Sequence, residues 1–225
     1  MSDHIIRMAA LDMAGTTVAD DGLVLTAFDA AAKAAGLPDS GPEADAARQY
    51  VIDTMGQSKI VVFRALLNDD EDRAQQANSA FEAAYERNLG EVRPIDGAAD
   101  AIERLRAADI KVVLTTGFSA GTRDRLLDVL GWTTIADLTL APSDAGRGRP
   151  YPDMILAAAL RLQIDDVREI AVLGDTANDV TAGLRSGASI VAGTLTGAHD
   201  ADTLAAAGAT DVVPDVSAFA DLLLS

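Results

Sequence analysis

From residue 98 onward the chain alternates between two kinds of segment. Helical patterns at 98–107, 123–130, 154–162, 179–185, 201–207 and 217–224 are separated by short apolar runs at 110–114, 138–140, 170–173, 190–191 and 211–213. Runs of this length, bounded by turn residues and rich in Val, Ile and Leu, read as buried strands. A helix between each pair of strands predicts parallel pairing, with the sheet covered on both faces. The apolar run at 5–11 supplies one more strand, which ends at Asp12 and passes into the turn residues Ala14-Gly15-Thr16-Thr17. About 70 residues (22–92) then carry only helical patterns, at 25–35, 44–54, 59–67 and 70–88. The expected fold is α/β: a Rossmann-like parallel sheet with helices on both faces, plus a small helical cap inserted after the first strand. Residues 1–20 and 93–225 would form the core domain and 21–92 the cap. Gly22 and the Pro94–Gly97 stretch would serve as hinges.

Composition narrows the function classes. With 49% hydrophobic and 24% charged residues the balance is that of a soluble globular chain. The longest stretch without formal charge, 186–199, has 14 residues and is broken by three glycines, whereas a bilayer span needs roughly 20 apolar residues. The N-terminus has no basic start followed by a long apolar run, so a secretory signal is not expected and the cytoplasm is the expected compartment. The chain has no Cys, which excludes disulfides, thiolate metal sites and a Cys nucleophile. A net charge of −17 repels nucleic acid and anionic membranes, so neither is expected as a partner. An anionic substrate would need a metal or a local basic pocket to reverse that field.

Open parallel sheets bind ligands at the carboxyl ends of their strands. The first strand ends at Asp12, the second at Thr116-Gly117, and the fourth at Gly174-Asp175 with Asp179 four residues on; Arg149 lies between. The i, i+4 spacing would put Asp175 and Asp179 on one face of a helix's first turn. Asp12, Asp175 and Asp179 offer hard oxygen ligands suited to Mg²⁺, and three carboxylates converging without a cation would raise one another's pKa. Any one of these Asp residues could simply cap the helix after its strand. All three together at strand ends, beside Thr116 and Arg149, are harder to explain that way.

These residues make the sequence resemble the haloacid dehalogenase superfamily over nearly its whole length. Asp12-Met13-Ala14-Gly15-Thr16-Thr17 is similar to its first motif, Thr116 to its second, Arg149 to its basic third, and Gly174-Asp175 with Asp179 to its fourth. The resemblance implies that Asp12 is a nucleophile that becomes an aspartyl phosphate. It also implies Mg²⁺ held by Asp12, the Ala14 carbonyl and Asp175 with Asp179 close by, and a phosphoryl group held by Thr116 and Arg149. Charge logic agrees: a carboxylate approaches a phosphoryl group only where cations cancel the repulsion.

The position two residues after the nucleophile usually holds a second Asp in phosphatases of that superfamily, as general acid. Here it is Ala14, and general acid–base help is worth ~10²–10⁴ in rate. Asp-x-Ala-Gly-Thr with Arg in the third motif resembles the phosphonatase (phosphonoacetaldehyde hydrolase) branch. There a cap lysine in a Met-Gly-x-x-Lys segment forms a Schiff base with the substrate aldehyde, so the leaving group is an enamine. This chain reads Met55-Gly56-Gln57-Ser58-Lys59. The resemblance implies Lys59 as imine former, with substrate contacts at Met55, Gly56, Gly117 and Phe118. On its own, Lys59 reads as a solvated helical lysine.

Other positions depart from that branch. Val62 stands where phosphonatase has a His, and Phe118 where it has a Tyr. The two histidines, His4 and His199, read as surface residues. The stretch 193–207 is more similar to phosphoglycolate-phosphatase-like members. The expected function is therefore hydrolysis of a small phosphonate. A phosphomonoesterase with Lys59 binding the substrate anion, and a weakly catalytic phosphate-binding regulatory protein, stand as alternatives. The resemblance allows a homodimer through the cap.

Overall fold

A computed structural model describes residues 5–19 and 21–225. Six parallel strands form one sheet in the order β5-β4-β1-β6-β7-β8. They are β1 (Met8–Asp12), β4 (Lys111–Thr115), β5 (Leu138–Leu140), β6 (Ile170–Gly174), β7 (Ile190–Thr194) and β8 (Asp211–Val213). The period of two along a strand sends alternate side chains to opposite faces. Ala9 and Leu11 of β1 thus pack with α5 (Ala98–Ala107) and α11 (Val216–Leu224), while Met8 and Ala10 pack with α8 (Asp153–Arg161). Both faces are buried, as the parallel reading requires. The other helices of this part are α6 (Ala120–Val129), α7 (Pro142–Ala145), α9 (Ala177–Ser186) and α10 (Ala201–Ala206).

Between β1 and α5 lie α1 (Leu23–Ala34), α2 (Pro42–Asp53), α3 (Lys59–Leu66) and α4 (Glu71–Arg87). They are flanked by an antiparallel pair that the sequence reading lacked, β2 (Val18–Ala19) with β3 (Arg93–Pro94). Two-residue strands carry no readable periodicity. Gly22, at φ 84, starts α1, and Gly97, at φ 77, starts α5; both positions are left-handed, where a Cβ is disfavoured. Asp70, Ser119, Thr176, Asp200 and Asp215 cap α4, α6, α9, α10 and α11. The Ser119 cap starts α6 three residues earlier than its apolar pattern suggested.

A ladder of rings fastens the helical segment to the sheet. Phe28 of α1 stacks on Phe63 of α3 at 5.4 Å, Phe63 meets Phe81 of α4 edge-on at 6.2 Å, and Tyr85 lies 4.6 Å from Phe118, just beyond β4. Such pairs contribute beyond the area they bury, about 0.5–1.5 kcal/mol each. No helix among the described residues is long and apolar enough to cross a membrane.

Candidate active site

The register of β1 sets Asp12 opposite Thr115 and Leu11 opposite Leu173, so the carboxyl ends of β4, β1 and β6 converge. Asp12 is only 5% exposed. Its Oδ1 lies 2.6 Å from Arg149 Nη2, and Asp179 Oδ1 lies 2.7 Å from Arg149 Nε. Arg149 also donates to Thr115 Oγ1 at 2.7 Å and to the Gly56 carbonyl at 3.3 Å. At 6% exposure, its planar fork thus ties β1, β4, α9 and the helical segment together.

Asp175 lies beyond β6, one residue before Thr176, the N-cap of α9. The expected shared helix face for Asp175 and Asp179 is therefore not what brings them together. Asp179 is the third residue of α9. Its Oδ2 accepts from the Thr176 amide at 3.2 Å and from the Thr176 hydroxyl, closing a capping box. Its Oδ1 lies against the Arg149 guanidinium, so Asp179 sits beside Asp12 on the same arginine fork. Among the described residues, no three His or carboxylate side chains stand at metal-ligand spacing.

A loop after β7 completes the pocket. The Ala198 amide donates to Asp175 Oδ2 at 2.7 Å, and Thr196 Oγ1 donates to the Gly15 carbonyl at 2.7 Å. A Cβ at Gly197 or at Gly15 would overlap the Asp175 carboxylate, so both positions need glycine. His199 Nδ1 accepts from the Ala177 amide at 2.9 Å, an otherwise orphaned donor at the start of α9. His199 is therefore a partly buried structural acceptor rather than a free surface group. His4 lies outside the described residues.

The electrostatics are lopsided, with three buried carboxylates facing one guanidinium. Burial pushes the Asp12 carboxyl well above its usual range, with Asp179 and Asp175 adding to the effect against the pull of Arg149. Asp175 is pushed up to about 7 by burial and then by Asp179. Arg149 stays cationic despite burial because Asp12 and Asp179 face it. The donor set is all hard oxygen and short of positive charge, a composition that suits a small divalent cation.

Lys59, Met55, Gly56, Thr116, Gly117 and Phe118 line the same cavity as Asp12, Ala14, Arg149 and Asp175, about 340 Å³ in volume. Lys59, half-buried at the first position of α3, holds its ammonium 5.7 Å from the centres of both the Phe81 and Phe118 rings. The Thr116 hydroxyl accepts from the Phe118 amide at 3.1 Å, which leaves its own proton to donate. Thus the expected site residues are gathered around one cavity, with Asp179 supporting it from behind. Val62 is buried in the helical segment.

A parallel sheet with carboxylates, an arginine and a threonine at its strand ends defines a class of α/β enzymes that binds anionic groups there. Residues 6–187 match the model of the haloacid dehalogenase-like hydrolases, and the chain belongs to that family. The phosphonoacetaldehyde hydrolase-like protein of Syntrophobacter fumaroxidans is 30% identical over 128 residues, 56% of this chain and 44% of that protein. The phosphonoacetaldehyde hydrolase of Pseudomonas fluorescens is 36% identical over 104 residues, 46% of this chain and 38% of that protein. The matched stretch spans less than half the length of either relative. A hydrolase from Pseudomonas syringae shares the fold with a TM-score of 0.85 at 23% identity, covering 96% of this chain and 97% of that one. A phosphonoacetaldehyde hydrolase-like protein from Oleispira antarctica does so with a TM-score of 0.82 at 22% identity, covering 98% and 92%.

Proposed function

We propose that the chain is a Mg²⁺-dependent, phosphonatase-like hydrolase of a small phosphonate that carries a carbonyl group, with 21–92 acting as a cap over the core. The reading rests chiefly on one observation: Lys59 lines the cavity of Asp12, while Ala14 stands where a general acid would otherwise be. The chain has 15 arginines and only three lysines. A lysine among so many arginines suits a task that a guanidinium cannot perform, namely forming an imine.

In this reading the Lys59 amine adds to the substrate carbonyl and water leaves, giving a protonated imine. An Asp12 carboxylate oxygen attacks phosphorus as the P–C bond breaks, and that electron pair passes into the imine to give an enamine. The enamine takes a proton at carbon, and water then releases the aldehyde from Lys59. A second water hydrolyses the aspartyl phosphate to free phosphate and Asp12. Thr116 and Arg149 orient the phosphoryl oxygens, and Phe118 and Phe81 keep water from the imine. Mg²⁺ held by Asp12, Asp175 and the Ala14 carbonyl would neutralise charge on the phosphoryl group.

Borohydride added with phosphonoacetaldehyde should trap a reduced adduct on Lys59, seen as a modified peptide by mass spectrometry. Phosphate release without an adduct would remove the imine step. Val62 and Phe118 bring no proton-transferring group, which favours as second reading a phosphomonoesterase in which Lys59 binds substrate anion. That enzyme would hydrolyse phosphate esters and leave phosphonoacetaldehyde intact.

The raised Asp175 carboxyl gives a linkage test of ion binding. A carboxyl held at about 7 in the folded state favours its neutral form there. Its contribution to stability is full below the ordinary carboxylate range and is lost as pH rises through about 7. In EDTA the midpoint of thermal unfolding should therefore fall between about pH 5 and about pH 8. Added Mg²⁺, which favours the carboxylate, should raise the midpoint more at the higher pH. An equal or larger rise at the lower pH would count against Asp175 as a ligand.

A further inference from the structure

Between α2 and α3 the chain turns through residues 54–58, with Gly56 at φ 82. Three groups of the sheet-bearing part grip this turn. Asn178 Nδ2 donates to the Met55 carbonyl at 2.7 Å, Asn178 Oδ1 accepts from Gln57 Nε2 at 3.2 Å, and Arg149 reaches the Gly56 carbonyl. The fit is close. A Cβ at Gly117 would come within 2.6 Å of the Gln57 carbonyl, and one at Gly56 within 2.7 Å of Thr176 Oγ1.

Asn178 is 9% exposed and second in α9, between the cap Thr176 and the clamp Asp179. Asn is a poor choice inside a helix on propensity alone, since its amide competes with the backbone. The capping role there belongs to Thr176, and the Asn178 amide bonds across to the turn through both its oxygen and its nitrogen. The turn feeds straight into α3, whose first residue is Lys59.

We propose that Asn178 is a positioning residue: its side-chain amide sets the register of the 55–57 turn on the core and so holds Lys59 over the Asp12 cavity. Donor and acceptor act together, one reading the backbone and the other Gln57. The catalytic half of this inference rests on the function proposed above; the grip on the turn does not.

The test compares Asn178→Ala, Asn178→Asp and Gln57→Ala with the parent protein. Asn178→Asp keeps an acceptor for Gln57 but cannot donate to the Met55 carbonyl, so it separates the two bonds. Hydrogen exchange at amides 54–60 should quicken by about fivefold to tenfold in both Asn178 variants and by less in Gln57→Ala, the scale of one or two lost hydrogen bonds. Exchange through 177–186 and the unfolding midpoint should hardly move. With phosphonoacetaldehyde, kcat should fall by about tenfold or more at nearly constant KM. Unchanged exchange at 54–60, or an equal rise throughout α9, overturns the proposal. Quickened exchange with unchanged kcat overturns its catalytic half. Should the parent protein fail to turn over phosphonoacetaldehyde, the proposed function falls while the exchange comparison still decides whether Asn178 holds the turn. If an Asn178 variant does not fold, Gln57→Ala, altered on the turn itself, carries the same comparison.

Discussion

Asp12→Asn should lower phosphate release by roughly 10⁴-fold or more, the scale of loss when a covalent nucleophile is removed. The substitution is nearly isosteric, and the amide oxygen can still accept from Arg149, whose Nη2 lies 2.6 Å from Asp12 Oδ1 in the parent. Burial already makes a charged Asp12 costly, as the upward push on its carboxyl indicates. A neutral amide at that position should therefore leave the folded state close to its original stability. The measurement pairs phosphate release with a thermal or urea unfolding curve on the same sample. Activity within tenfold of the parent, in a protein shown to be folded, would place the nucleophile elsewhere and undo the proposed chemistry.

The second large effect is on stability. Arg149→Met should destabilise the fold by about 3–5 kcal/mol, the range for breaking a buried ion pair from one side. The reason is geometric. One guanidinium serves both Asp12 and Asp179, each nearly free of solvent, and its loss strands two carboxylates at once. It also leaves the Gly56 carbonyl without its bond from Arg149. Arg149→Lys should recover only part of the loss, because a point charge cannot occupy both branches of the fork. Urea unfolding followed by circular dichroism reads the difference as a shift in midpoint at similar slope. A Met variant within about 1 kcal/mol of the parent would show that the clamp contributes little to folding.

Much of this architecture was legible beforehand because it is written in local patterns. The sheet strands announce themselves as Val, Ile and Leu runs between helices, and strand-end turns such as Asp12 to Thr17 and Gly174-Asp175 mark where ligands can gather. Strand ends such as Gly174 and Thr194 extended beyond the runs, because pairing with a neighbour continues a strand past its last apolar residue. Other features belong to no local pattern. The β2–β3 pair is too short to show a period, and Pro94 argues against a strand in isolation. α7, four residues long, is invisible for the same reason.

Polar residues that act across an interface were the main omission. Gln57 and Asn178 look like ordinary helix-flanking amides until the turn is laid on α9. His199 looked solvated because nothing nearby in sequence needs an acceptor, yet the Ala177 amide does. The spacing of Asp175 and Asp179 suggested a helical face, whereas the chain is still leaving a strand at Asp175. Spacing gives the right neighbours there for the wrong geometric reason.

The bonds that close the pocket join very distant parts of the polymer: Thr196 reaches back 181 positions to Gly15, and Thr16 reaches 159 positions forward to Asp175. Contacts of that span form late, after much of the loop-closure entropy has been paid. During synthesis Asp12 therefore leaves the ribosome long before its last neighbours exist, and the pocket is complete only when β7 and the loop behind it have docked. A half-made copy holds Asp12 but not the pocket around it.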